Sequence, residues 1–255
     1  DVERSRGLGD VYKRQGYDSY ESALRFLRME EEMLHSPRLL RDMDRAVERI
    51  AGALQKKERI VIYGDYDVDG VTSVSILYLY LKKLGADVDY YIPNRIGEGY
   101  GMSKSSIDKL IDGGARLIVT VDTGITANAE IEHARARGID VVVTDHHECH
   151  GDLPLAAAVV NPRRSDCTYP FKELAGVGVV FKLLCAFETA HAGIPEQEAV
   201  RRICAEYADL VAIGTIADVM PIKDENRLIV AYGLRQIEKS KRLGLCALIE
   251  AVMRR

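Results

Sequence analysis

A chain of 255 residues, 47% hydrophobic and 29% charged, holds enough apolar material for one large core or two modest ones. No apolar run reaches the roughly 18 residues of a membrane helix, and the N-terminus lacks a secretory pattern. Five cysteines without a C-x-x-C pair argue against a disulfide framework and a thiolate zinc site, so the chain reads as cytoplasmic, and its formal net charge of −4 requires any surface for a polyanion to be local.

Asp1 to Gln15, DVERSRGLGDVYKRQ, has no sustained apolar periodicity and reads as a non-native leader resembling translated adapter sequence. Ser36 before Pro37 is a helix-start signal, and Leu39, Leu40, Met43, Ala46, Val47 and Ile50 then recur at helical spacing. A first strand, IVIY, opens at Ile60. Beyond it the chain alternates: a helix over 71–84 ended by Gly85, a strand over 87–92, a helix over 104–112 ended by Gly113, a strand over 116–121, a helix over 127–137 ended by Gly138, and strands over 140–144 and 157–160. Short apolar strands separated by helices predict a Rossmann-like α/β fold, a parallel sheet with helices on both faces. Ligands then bind beyond the carboxyl ends of the strands. After Pro170 the pattern turns helical, over 176–190, 196–217, 224–239 and 244–254, and the last helix reads as unfinished because no C-cap signal follows it. The expected organisation is a leader over 1–15, an α/β catalytic domain over 16–170 and a helical extension over 171–255.

The chemistry concentrates at strand ends. Residues 60–70 read IVIYGDYDVDG, with Asp65, Asp67 and Asp69 at alternate positions, and an extended chain sends alternate side chains to one face. Two unit charges about 4 Å apart repel by about 4 kcal/mol at an effective dielectric near 20, so such a cluster needs protons or a cation. An acidic turn capping the next helix is the competing reading, although one aspartate suffices for that. A dinucleotide site is excluded by the lack of G-x-G-x-x-G and by repulsion of a pyrophosphate. LIVTVDTG then delivers Asp122, and VVVTDHH delivers Asp145, His146 and His147. Alone, Asp122 reads equally well as a turn residue; its place after a strand parallel to the first makes it a ligand candidate. Carboxylates with a neutral imidazole suit manganese. The residues by themselves point as far as metal-dependent phosphoryl hydrolysis.

These motifs carry a resemblance. GDYDVDG, VDTG, TDHH and GTIADVMP, in that order, resemble the successive motifs of the DHH phosphoesterase superfamily, most closely its RecJ-type single-strand-specific exonucleases. PNRIGEGYGM, NPRR and YPFKELAGVGVVFKL are similar to the same branch. The resemblance implies metal-binding roles for Asp65, Asp67, Asp122, His146 and Asp218, with Asp122 bridging two ions, Mn²⁺ or Mg²⁺. Asp218 enters only this way, since composition reads it as a polar helix end before Pro221. His147 is expected to touch the scissile phosphate or a partner of a ligand instead of binding metal directly, while Asp69 and Asp145 are expected to orient ligands through hydrogen bonds. Arg95, Lys104, Arg163 and Arg164 are candidates to track a phosphate backbone, and Tyr100 to stack on a base.

The implied reaction is 5′-to-3′ hydrolysis of single-stranded DNA in repair and recombination. A glycine-rich partner domain is expected beyond Arg255, so this chain alone should be weakly active. Two other readings stand beside it. One is a small-substrate relative acting on oligoribonucleotides, cyclic dinucleotides or pyrophosphate, against which NPRR and YPFK count. The other is a non-catalytic scaffold of the same fold, against which the intact carboxylate set counts.

Overall fold

The computed structural model describes residues 19–20, 34–94 and 101–253; the leader over 1–15 lies outside them. Five strands, β1 Ile60–Tyr63, β2 Val88–Tyr91, β3 Leu117–Val121, β4 Asp140–Thr144 and β5 Ala158–Val160, pair in parallel in the order β2-β1-β3-β4-β5. Strand periodicity sorts their side chains into two cores. Ile60, Ile62, Leu117, Val119 and Val142 join one, while Tyr63, Ile118, Val141, Val143 and Val159 join the other. This double burial is why IVIY and LIVTV are almost wholly apolar, whereas the edge strand β2, VDYY, leaves Asp89 and Tyr90 exposed.

The first core is closed by α1 Met43–Gln55, α2 Val68–Lys83 and α5 Gly176–Ala192; the second is closed by α3 Lys104–Asp112 and α4 Asn128–Ala136. Helix α6 Glu196–Ala217 packs on the outer side of α2 and α5, and α7 Asp224–Ile237 packs on α6; together they contribute Tyr207, Val211 and Ile229 to the first core. Helix α8, Leu243–Met253, buries only Leu245. From β1 the chain crosses to β2 on one side and returns to β3 on the other. The carboxyl ends of β1 and β3 therefore flank the topological switch point, where open α/β sheets bind ligands.

Two local expectations are corrected. The aspartate run is not extended through Asp69: β1 ends at Tyr63, Asp67 is the N-cap of α2 with Oδ1 accepting from Gly70 N at 2.8 Å, and the helix starts at Val68 instead of 71. Asp69 thus sits in the first helical turn, one of whose orphan N–H groups Asp67 satisfies. The first helix likewise starts at Met43, after a 3₁₀ turn over Pro37–Leu39, because Asp42 at φ 62 interrupts it.

Candidate metal centre

Each side chain at the switch point is delivered by a defined backbone feature. Asp65 follows β1 and is buried at 3% exposure, and Asp67 follows it at the helix cap. Asp122 follows β3 in the left-handed region at φ 58, a conformation that costs most L-residues about 1–2 kcal/mol and that persists where its surroundings fix it. Its N–H donates to Thr144 O at 3.1 Å. Asp145, after β4, fixes the adjoining loops. Its Oδ2 accepts from Ile125 N at 2.9 Å, and its Oδ1 accepts from His146 N at 2.7 Å, His147 N at 3.0 Å and His147 Nδ1 at 2.7 Å. Asp218 is the C-cap of α6, followed by Val219 at φ 57.

These elements converge. His146 Nε2 lies 3.1 Å from Asp122 Oδ1, 3.6 Å from Asp218 Oδ2 and 3.8 Å from Asp69 Oδ2. Three sets of candidate ligand atoms, Asp65/Asp67/Asp122, Asp122/His146/His147 and Asp69/His146/Asp218, each fall within 4.8 Å of one another. Asp122 is common to the first two and His146 to the last two. Both ring nitrogens of His146 and Asp122 Oδ1 are buried without an aligned hydrogen bond among the described residues. Buried polar atoms normally find partners, and a divalent cation is the partner this mix of carboxylate and imidazole fits.

The electrostatics point the same way. Burial, reinforced by the Asp67 charge, pushes the Asp122 carboxyl up to about 9. Burial and then Asp122 raise Asp69, and burial also raises Asp65 and Asp218. Asp145 goes the other way, because the hydrogen bonds and charge of His147 together outweigh the effect of its burial. The same hydrogen bond lifts His147 to about 9. Asp145 and His147 thus form an ion pair beside carboxyls whose charged forms burial and mutual repulsion disfavour, a penalty that a bound cation would offset.

Of the other expected residues, Asp69, expected to orient a ligand, has Oδ2 3.8 Å from His146 Nε2 and belongs to one of the candidate ligand sets. Arg163 holds Glu148 through its side chain, and its charge acts on Asp218, so it lies beside the centre. Lys104 is exposed at the first residue of α3. Arg164 is a correction. Its guanidinium is buried, donating to Asp42 Oδ2 at 2.8 Å, to Val159 O at 2.5 Å and to both oxygens of Asp166 at 2.9 and 2.7 Å, which leaves it tying loops together and unable to track a strand. Arg95 and Tyr100 lie outside the described residues.

Sequence reasoning missed Gly176. Its N–H donates to Asp69 Oδ2 at 2.6 Å, Val177 N donates to Oδ1 at 2.9 Å, and a Cβ on Gly176 would stand 2.6 Å from Asp122 Cβ and Oδ1. The available signal was a glycine opening a strongly apolar helix, where its low propensity needs a reason.

Residues 59–215 match the DHH family, N-terminal domain, and the chain belongs to that family. It is 47% identical over 243 residues to the single-stranded-DNA-specific exonuclease RecJ of Bacillus subtilis, an alignment covering 95% of this chain and 29% of the relative. It is 43% identical over 220 residues to the Escherichia coli exonuclease of the same name, covering 84% and 38% respectively. Among solved structures, exonuclease RecJ bound to manganese superposes with a TM-score of 0.74 at 38% identity, covering 86% of this chain and 53% of that one. RecJ from Thermus thermophilus in complex with Mn²⁺ gives a TM-score of 0.69 at 37% identity, covering 84% and 30%. The chain therefore spans well under half the length of the curated relatives it matches.

Proposed function

We propose that this chain binds two divalent cations, Mn²⁺ or Mg²⁺, and forms the catalytic part of a phosphodiesterase that degrades single-stranded DNA from the 5′ end in repair and recombination. The observation that carries the reading is Asp122, a buried carboxylate that shares one candidate ligand set with Asp65 and Asp67 and stands 3.1 Å from His146, the imidazole of the adjoining set with Asp69 and Asp218. Asp65, Asp67 and Asp122 would hold one ion; Asp122, His146, Asp218 and Asp69 would hold the other. When bound, such ions polarise a phosphoryl oxygen and lower the pKa of water for in-line attack. The imidazole among the oxygens favours Mn²⁺ over Mg²⁺.

The remaining roles belong to the chain. Asp145 holds the His147 ring through Nδ1 and favours its protonated form, which aims the half-exposed Nε2 side of the ring outward as a candidate donor to a phosphate oxygen. Arg163 adds positive charge on the Asp218 side, and Lys104 is a candidate contact to the strand. The RecJ relatives, named for single-stranded DNA and solved with Mn²⁺ and Mg²⁺, support this choice of substrate and ions. No helix among the described residues is long and apolar enough to cross a membrane, and we place the protein in the cytoplasm with DNA as its partner.

Calorimetry with Mn²⁺, paired with hydrolysis of 5′-labelled single strands, tests the proposal. Asp122→Ala should lose tight uptake of both ions and reduce cleavage to background, because one carboxylate serves both. A chain that takes up no Mn²⁺ would overturn the reading, and a dinucleotide cleaved faster than an oligonucleotide would shift it to the small-substrate class.

A further inference from the structure

Asp69 and Asp218 approach His146 from different elements, and neither sits at a strand end. Asp69 is anchored on the N–H groups of Gly176 and Val177 at the start of α5. Asp218 hangs on a turn strained at Val219, a β-branched residue at φ 57 that holds only if its neighbourhood fixes it. The strap over 169–175 that leads to Gly176 and the turn over 219–223 that follows Asp218 meet at the start of α7.

There the side-chain amide of Asn226, 1% exposed, donates to Glu173 O in the strap at 2.6 Å and to Pro221 O in the turn at 3.1 Å. Its neighbour Glu225 takes the Tyr169 hydroxyl from the far end of the strap and pairs with the buried Lys182 of α5 at 2.5 Å. One amide thus spans the two segments that carry Asp69's anchor and Asp218.

We infer that Asn226 is a positioning residue of the metal centre: by bridging Glu173 O and Pro221 O it sets the spacing of Asp69 and Asp218 about His146, and so the geometry offered to the cation they share. It touches neither ligand. The inference rests on the metal-binding reading above, and it separates from a purely structural role because it predicts selective loss at one of two ion sites. Ligand-orienting partners of this kind typically change metal affinity by roughly 10- to 100-fold.

The test is Mn²⁺ calorimetry and electron paramagnetic resonance on the wild-type chain, Asn226→Ala and Ile229→Ala, at a temperature where circular dichroism shows all three folded. Ile229 lies on the same helix, 1% exposed in the core, and serves as the control for lost stability. An Asp67→Ala background isolates the ion assigned to Asp122, His146, Asp218 and Asp69. Asn226→Ala should weaken that ion by roughly 10- to 100-fold while the ion at Asp65, Asp67 and Asp122 stays within about twofold, and Ile229→Ala should leave both near wild type. If Asn226→Ala does not fold, Asn226→Ser, which keeps a single short donor, must show the same selective loss. Unchanged affinity in the Asn226 variants, or an equal loss in Ile229→Ala, overturns this inference alone. A wild-type chain without Mn²⁺ binding overturns it together with the metal reading.

Discussion

Asp122 combines a strained backbone with a buried carboxyl raised to about 9, and His147 is raised to the same level. Both folded-state values exceed those of the unfolded chain, near 3.8 and 6.5, and Asp69 shifts in the same direction as Asp122. In that interval the native state holds more protons than the unfolded one, so stability present at low pH is lost as pH rises through the folded values. The lowered Asp145 acts only below the ordinary carboxylate range and does not offset this. The metal-free protein should therefore show a melting temperature that falls from pH 6 to pH 8.5, while saturating Mn²⁺, binding better as protons leave, should flatten or reverse the fall. Differential scanning calorimetry in chelator and in Mn²⁺ gives both curves; a metal-free curve that rises with pH would show that the carboxyls are not held protonated. Arg164 makes a contrasting case. Arg164→Ala leaves the poorly exposed Asp42 with only the longer contacts of Arg45 and Val159 N, so it should cost roughly 1.5–3 kcal/mol of stability in urea unfolding yet leave Mn²⁺ affinity unchanged. A loss of DNA binding at unchanged stability would instead restore it to the substrate surface.

At the scale of elements, α5 is the part whose placement decides the site. Its N-terminus offers two N–H groups to Asp69, and its first glycine lets the helix lie against Asp122. Gly176→Ala should remain folded but cost about 1–3 kcal/mol through overpacking, and it should displace Asp122 enough to weaken both ion sites. A structure of that variant with Asp122 unmoved, together with wild-type Mn²⁺ binding, would show that the contact has slack. Much of this architecture was legible beforehand. Strands buried on two faces must be apolar throughout, and glycines end the helices between them, so β1, β3, β4 and β5 fall within a residue or two of their expected positions. The carboxylates at strand ends follow from that pattern. Asp218 did not, because a helix C-cap becomes a ligand only when tertiary packing brings α6 to the sheet. The start of α2 was misplaced because alternating aspartates look the same in an extended segment and at a helix cap until Gly70 N claims Asp67. Arg164 was misread because a loop arginine next to another carries no sign that Asp42, far away in sequence, will bury it.

For the molecule as a whole, metal binding and turnover should separate. The candidate ligands all lie within this 255-residue chain, which covers 29% of the Bacillus subtilis relative. Among the described residues the centre is open on its carboxyl side, with the His147 side chain 45% exposed and Asp218 27% exposed. An ion needs only the ligand shell, whereas attack on a phosphodiester also needs the strand held in line, a contribution worth roughly 7–11 kcal/mol in well-organised sites, with water kept from the reacting groups. The described residues, which bound the centre on one side, can supply the first and little of the second. At equal Mn²⁺ occupancy, the chain should therefore cleave 5′-labelled single-stranded DNA at least about a hundredfold more slowly than the full-length Bacillus subtilis relative, while its Mn²⁺ affinity lies within about tenfold. Single-turnover assays on both proteins, with Asp122→Ala as the blank, measure the ratio directly. Equal rates would mean that the sheet edge and its own cations position the strand unaided, and that the openness of the site has no catalytic cost.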